Sequence, residues 1–230
     1  MIRARFFPIV LLTAVFAAAA NAGETFLQPG EIDIKSILPP PPARDSDQTK
    51  HEIEELLQLQ STRTDADIAR IKSEVKFTPF LFSEILGPKF NPDDLPATAK
   101  FLAKILKSSK AISNQAKDIF KRERPFNVDS RIHPCVENET TFSYPSGHAT
   151  RSMVIALTLA QIFPDHADAL IARAKLVGDD RETAGEHFPS DVEAGRTLAK
   201  AIFQQMEKNP DYQAELEKAK DECLAKEPVK

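Results

Sequence analysis

The chain has 230 residues, enough for one domain with a sizeable core. Its 30 Lys and Arg against 34 Asp and Glu give a net charge of −4, which argues against general nucleic-acid binding. Beyond the first 22 residues no segment is long and apolar enough to cross a bilayer, so stable membrane insertion of the body is not expected.

Arg3 and Arg5 precede an apolar run from Phe6 to Ala20, and Ala20-Asn21-Ala22 is a small-x-small cleavage signal. Residues 1–22 therefore read as a secretory signal peptide cut after Ala22. A retained membrane anchor is the other reading, but the run is short for a span of ~20 residues. Export with an even pair of cysteines, Cys135 and Cys223, suggests one disulfide closing a loop of about 90 residues, worth at most ~4–5 kcal/mol by chain entropy. Two free buried thiols are the alternative.

Residues 23–46 form a lead-in with little periodicity, and Pro39 to Pro42 favour an extended polyproline segment. A passive arm across the surface is the expectation. From 47 to 230 the pattern is helical. Ile53, Leu56 and Leu57 sit at helical spacing; after a break at Thr62–Thr64, Ile68, Ile71 and Val75 resume it. Phe77 to Phe82 reads as core, with Pro79 in a first turn. Asp94 and Pro96 start a long helix whose apolar face runs from Phe101 to Phe120, and Pro125 is expected to end it. Phe126 to Tyr144 is irregular.

Tyr144-Pro145-Ser146-Gly147-His148 then leads into the apolar run Met153 to Phe163. Pro145 disfavours a helix before it, Ser146 is a good N-cap, and Gly147 lets backbone approach a ligand. The helix that follows is apolar nearly all round and should be central. Ala167 to Val177 reads as a further helix closed by Gly178. Another begins near Ser190 and breaks at Pro210, and the last carries Tyr212, Leu216, Ala219 and Cys223 on one stripe. The fold class is all-α, a single compact helical domain around a buried central helix.

Three clusters carry chemistry. Lys117 and Arg124 lie about two helical turns apart, so they can share a face. Ser146 and Gly147 open a helix whose free N–H groups and positive dipole end suit an anion, with His148 able to donate a proton to a departing oxygen. His187 and Asp191 are four apart at a helix start, so the carboxylate can fix one ring nitrogen and leave the other as nucleophile, with Arg181 nearby. Taken singly, each has a bland reading: a solvated basic face, a structural histidine, a surface ion pair. Together they supply what phosphoryl transfer needs: cations for the equatorial oxygens, an in-line nucleophile and an acid. Lys117, Arg124 and Arg181 would hold phosphate, His187 would attack phosphorus, and His148 would protonate the leaving alcohol, then serve as base for water.

Lys117-x6-Arg124-Pro125, Pro145-Ser146-Gly147-His148 and Arg181-x5-His187-x3-Asp191 resemble the three-part signature of the type 2 phosphatidic acid phosphatase superfamily, which also contains the vanadium haloperoxidases. The likeness is greatest to its soluble branch, the class A bacterial non-specific acid phosphatases. Leu38 with Pro39 to Pro42 is similar to the proline-rich entry of that class. The resemblance implies an all-helical fold, frequent homodimers, a periplasmic or secreted location, no required metal or other cofactor, inhibition by vanadate, and hydrolysis of small phosphate monoesters. Asp180 departs from the family's Ser before the third-motif arginine; a carboxylate facing the site would weaken phosphate binding, and one turned outward would not. The rival readings are a non-catalytic exported phosphate-binding protein, a vanadate-dependent haloperoxidase, a phosphatase of lipid phosphates reached from the periplasm, and a metal site of His133, His148, His187 and Asp191.

Overall fold

The helix that opens at Gly147 has no polar face. Thr150, Met153, Val154, Ile155, Ala156 and Leu159 are all buried, although they point in every direction around the axis. Such a helix is stable only if neighbours surround it. In the computed structural model, which describes residues 23–225, they do. The elements are α1 (Ile34–Ile37), α2 (Asp47–Thr62), α3 (Asp65–Glu74), a 3-10 turn (Pro79–Phe82), α4 (Ser83–Leu86), α5 (Pro96–Phe120), α6 (Pro125–Val128), α7 (Gly147–Ile162), a second 3-10 turn (Pro164–His166), α8 (Ala167–Thr183), α9 (Pro189–Met206) and α10 (Pro210–Ala225). The central helix is α7, and α5, α8, α9 and α10 pack around it. No strand occurs among the described residues, and none of their helices is long and apolar enough to cross a membrane. The expected signal segment lies outside the described residues.

Close approach explains two glycines. A Cβ on Gly178 would meet Val192 at 3.0 Å and Ala149 at 3.3 Å, and one on Gly195 would meet the Ser146 carbonyl oxygen at 2.6 Å. Gly178 therefore does not close a helix, as the sequence suggested; α8 runs through it to Thr183 and uses it to press against α7 and α9. The long helix also ends early. It stops at Phe120 because Lys121 adopts a left-handed conformation, φ 50°, four residues before Pro125. Arg124 is extended, as its position before proline demands.

The amino-terminal arm is not passive. Phe26 packs edge-on against Phe101 and Tyr212 at 5.7 and 5.5 Å, and Leu27, Ile34 and Leu38 are buried. Its backbone N–H at Phe26 donates to Ser108 Oγ, which in turn donates to the Lys104 carbonyl of α5. Burial of these apolar side chains is worth ~1.5–3 kcal/mol each, which overrides the surface course that low periodicity suggested. The Tyr144 hydroxyl donates to the Pro39 carbonyl at 2.8 Å, so the arm also touches the loop before α7.

The expected disulfide is absent: Cys135 and Cys223 are both free thiols. Cys135 is tied by its N–H to the Ala184 carbonyl at the end of α8. Cys223 is buried on α10, with Sγ 3.6 Å from the Thr98 hydroxyl. Each is anchored to a different part of the fold, and parity alone could not show that.

Candidate active site

Ser146 caps α7, accepting the Ala149 N–H, while its own N–H donates to the Asp191 carbonyl at 2.8 Å. The Gly147 and His148 N–H groups belong to the first turn, which has no intrahelical acceptors. No other acceptor takes them among the described residues. This gives an outward-facing cradle with the positive end of the most buried helix behind it. α9 crosses directly beneath it at Gly195, so the cradle rests on a second helix.

His187 reaches the same place from α9's leading loop. The chain leaves α8 after Thr183, and Gly185 at φ 79° turns it so that the Glu186 and His187 N–H groups both donate to the Arg181 carbonyl. Asp191, in the first turn of α9, caps that helix through the Phe188 N–H at 2.9 Å. The same carboxylate oxygen lies 3.4 Å from His187 Nδ1 and accepts the Ser143 hydroxyl at 2.5 Å. Its other oxygen accepts from Arg122 at 2.7 Å. An acceptor so placed holds the proton on Nδ1 and leaves Nε2 with its lone pair. That Nε2 faces the Arg124 guanidinium at 3.0 Å. Complete burial, then repulsion by Arg124 and Lys117, holds His187 well below the ordinary histidine range, so the ring is neutral.

His148 is oriented differently. Its Nε2 lies 3.2 Å from the Val75 carbonyl, and its Nδ1 lies 3.8 Å from the Glu139 carboxylate. Burial, then repulsion by Arg181 and Arg151, pulls His148 down to about 3. Lys117 is buried at the end of α5, with Nζ donating to the Phe142 and Ser143 carbonyls. Burial and the neighbouring Arg124 lower it to about 7. Arg124 spans the site, donating to the Thr141 and Glu186 carbonyls as well as meeting His187. Arg181 is fully buried, and its Nε and Nη1 have no hydrogen-bond partner. Buried unpartnered guanidinium nitrogens are costly, and they mark a place for an anion.

A carboxylate already sits among these groups. Glu139, on the loop between α6 and α7, accepts from Arg124 Nη2 at 2.8 Å, and its other oxygen is 4.0 Å from Arg181 Nη2. Burial pushes its carboxyl up, but the summed pull of Arg124, His187, His148 and Arg181 prevails and holds it at about 2. A cavity of about 560 Å³ opens outside it, lined in part by Lys117, Glu139, Gly147, His148 and Arg151. Arg124, Arg181 and His187 are each 1 % exposed and lie beneath that lining.

All eight residues singled out in the sequence, Lys117, Arg124, Ser146, Gly147, His148, Arg181, His187 and Asp191, thus converge on one site. Asp180 does not. Both its oxygens are held by Arg70, at 2.8 and 2.7 Å, so the carboxylate is spent on α3. Several residues of the site had no local signal. Arg122 follows Lys121 in a run of basic residues that looks like a solvated face in sequence, yet it is buried on the Phe188 ring at 3.9 Å and bonds Glu52, Ser190 and Asp191. Ser143, Glu139, Glu186 and Arg151 were also missed.

A profile of the PAP2 superfamily matches residues 98–209. A non-specific acid phosphatase of Salmonella typhi is 31 % identical over 231 residues, covering 94 % of this chain and 90 % of the relative. One from Providencia stuartii is 30 % identical, covering 91 % and 92 %. The crystal structure of a bacterial vanadium-dependent iodoperoxidase superposes with a TM-score of 0.55 at 17 % identity, over 74 % of this chain and 52 % of that one, a likeness of fold. Together with the helical architecture and the three converging segments, these similarities establish that the chain belongs to the PAP2 superfamily.

Proposed function

We propose that this chain is an exported acid phosphatase that hydrolyses small phosphate monoesters through a phosphohistidine intermediate. The observation that carries the reading is the neutral His187, its Nε2 bare and aimed at a cluster of buried guanidinium groups, two of whose nitrogens lack an acceptor. A phosphoryl group taking the place of the Glu139 carboxylate would give Arg124 and Arg181 their acceptors and meet the Gly147 and His148 N–H groups. His187 Nε2 attacks phosphorus, and the P–N bond forms as the ester P–O bond breaks. The departing oxygen takes a proton from His148 Nδ1, whose ring is steadied by the Val75 carbonyl. Water then attacks the phosphohistidine, gives its proton to His148, and releases inorganic phosphate. Fixed cations supply the charge that the transition state needs, and the proposal calls for no metal or organic cofactor. Activity should therefore survive EDTA, and vanadate should inhibit as a transition-state mimic.

An acid optimum follows from two groups. Lys117 carries its proton only below about pH 7, so kcat/KM should fall on the alkaline side. His148 is neutral in the free protein and takes up its proton when a phosphate dianion arrives beside it. The profile should be bell-shaped. The deciding experiment compares p-nitrophenyl phosphate hydrolysis by the wild type and His187→Ala, with trapping of a base-stable, acid-labile phosphoenzyme. Turnover in the wild type, with turnover and adduct both abolished in the variant, is the expected result. If both proteins are inactive while phosphate still binds, the chain is an anion-binding module.

A further inference from the structure

Arg151 is the cation nearest the cradle that the mechanism above does not use. It lies on α7 one turn after Gly147 and three residues after His148, and it lines the open cavity. Its Nη1 rests so close to the cradle that a Cβ on Gly147 would meet it at 3.0 Å. Among the described residues no hydrogen bond or ion pair holds this guanidinium; Glu139, the nearby carboxylate, is committed to Arg124. A half-buried cation beside a binding cradle, facing an open cavity with no hydrogen-bonded protein acceptor, is placed to take a ligand acceptor. Further out, Lys107 and Lys110 of α5 and Lys76 line the same cavity, Lys107 already paired with Glu24.

We propose that Arg151 forms a subsite for a second phosphoryl group carried by the leaving group, so that the preferred substrates of this phosphatase are phosphoanhydrides or bisphosphates. The inference rests on the phosphatase reading and goes beyond it. Its geometric basis is that Arg151 shares a helix with His148, the donor to the leaving oxygen. A group bonded to that oxygen therefore leaves the phosphorus on Arg151's side of the cradle. In the reaction His187 Nε2 bonds to the terminal phosphorus while the P–O bond to the leaving group breaks. The leaving group keeps the electron pair and takes one proton from His148. Arg151 binds the charge that this group already carries, bidentately if two oxygens are in reach. The lysines at the rim draw such a polyanion toward the cavity.

The test measures kcat/KM of the mature chain for inorganic pyrophosphate, ethane-1,2-diol bisphosphate and p-nitrophenyl phosphate, in the wild type, Arg151→Ala and Arg151→Lys. Loss of one charged hydrogen-bonding partner predicts a drop of about 30-fold for the doubly phosphorylated compounds in Arg151→Ala. The drop for p-nitrophenyl phosphate should be at least about tenfold smaller, and lysine should recover part of the difference. Loss on pyrophosphate alone assigns the subsite to anhydrides, and loss on both assigns it to a second phosphoryl group generally. Equal losses on all three compounds, or none on either doubly phosphorylated one, overturn the proposal. Affinity of pyrophosphate relative to phosphate, measured in His187→Ala with and without Arg151→Ala, gives an arm independent of turnover. There an unchanged ratio overturns it as well. Failure of the wild type on every compound would instead remove the phosphatase reading itself, and this inference with it.

Discussion

Replacing Glu139 by Gln should make the protein bind phosphate more tightly. The carboxylate lies 2.8 Å from Arg124, 3.8 Å from His148 and 4.0 Å from Arg181, and it is ionised at any working pH because its carboxyl is held at about 2. A phosphate dianion must push it out or lie beside it. In the first case binding costs the existing Glu139–Arg124 bond, and in the second the ligand goes without Arg124; a charge-assisted bond of this class is worth ~1.5–3 kcal/mol. The Glu139 side chain is 35 % exposed, so solvent screens the pair and the low end applies. About 1.4 kcal/mol is a factor of ten, so the inhibition constant of inorganic phosphate should fall about tenfold in Glu139→Gln. Gln keeps the shape and removes the charge. The assay is phosphate inhibition of p-nitrophenyl phosphate hydrolysis, with thermal melting run in parallel. Melting should show the opposite sign: the depressed carboxyl stabilises the fold above its unfolded value of 4.5, and that contribution is lost as pH falls through about 2. Wild type should therefore be the more stable protein at neutral pH, with the gap closing in acid. A phosphate inhibition constant that is unchanged or higher would refute the idea that Glu139 competes for the site.

Gly195→Ala puts a methyl group 2.6 Å from the Ser146 carbonyl, so α9 or the cradle must shift. Overpacking of this kind costs ~1–3 kcal/mol, and kcat should fall well beyond what the lower melting temperature explains; an active, merely less stable variant would contradict the role given to that crossing. Asp180→Ser should leave KM unchanged, because the carboxylate is turned to Arg70, and should lower stability by about 1–3 kcal/mol for a half-buried pair; a lower KM would mean that it acts on the ligand after all. His148 and His187 are held neutral by burial, His148 down to about 3, so the unfolded chain binds more protons below its ordinary 6.5. Stability should therefore fall as pH drops from about 6.5 toward 3, by up to ~1.4 kcal/mol per pH unit for each ring; His148→Gln should flatten that slope, and an equally steep variant would show that His148 is not its source.

The residues that carried the sequence reading are those whose signals are local. Pro145, Ser146 and Gly147 announce a helix start within three positions, and the four-residue step from His187 to Asp191 is set by one turn of helix or its leading loop. What escaped is set by distance in space. Gly178 looks like a stop in one dimension, and only the arrival of Val192 and Ala149 makes it a packing position. Arg122 sits in a run of basic residues and is distinguished from them by Phe188 and Asp191, far along the chain. Glu139 belongs to the pocket because an irregular loop folds over the start of α7, and loops carry no periodicity to read. The same holds for the cysteines: that Cys135 and Cys223 stand apart depends on where the last helix docks.

Because the anion cradle is the first turn of the most enclosed helix in the molecule, it has no private way to come apart. Thr150, whose N–H and hydroxyl both bond the Ser146 carbonyl, is fully buried, as are Val154 and Ile155 further along. Amide hydrogens in that stretch should exchange with solvent only on complete unfolding. Mild heating or denaturant should then leave molecules whose cradle is either intact or lost with the whole fold. A cradle built on a loop would instead come apart long before the core melts.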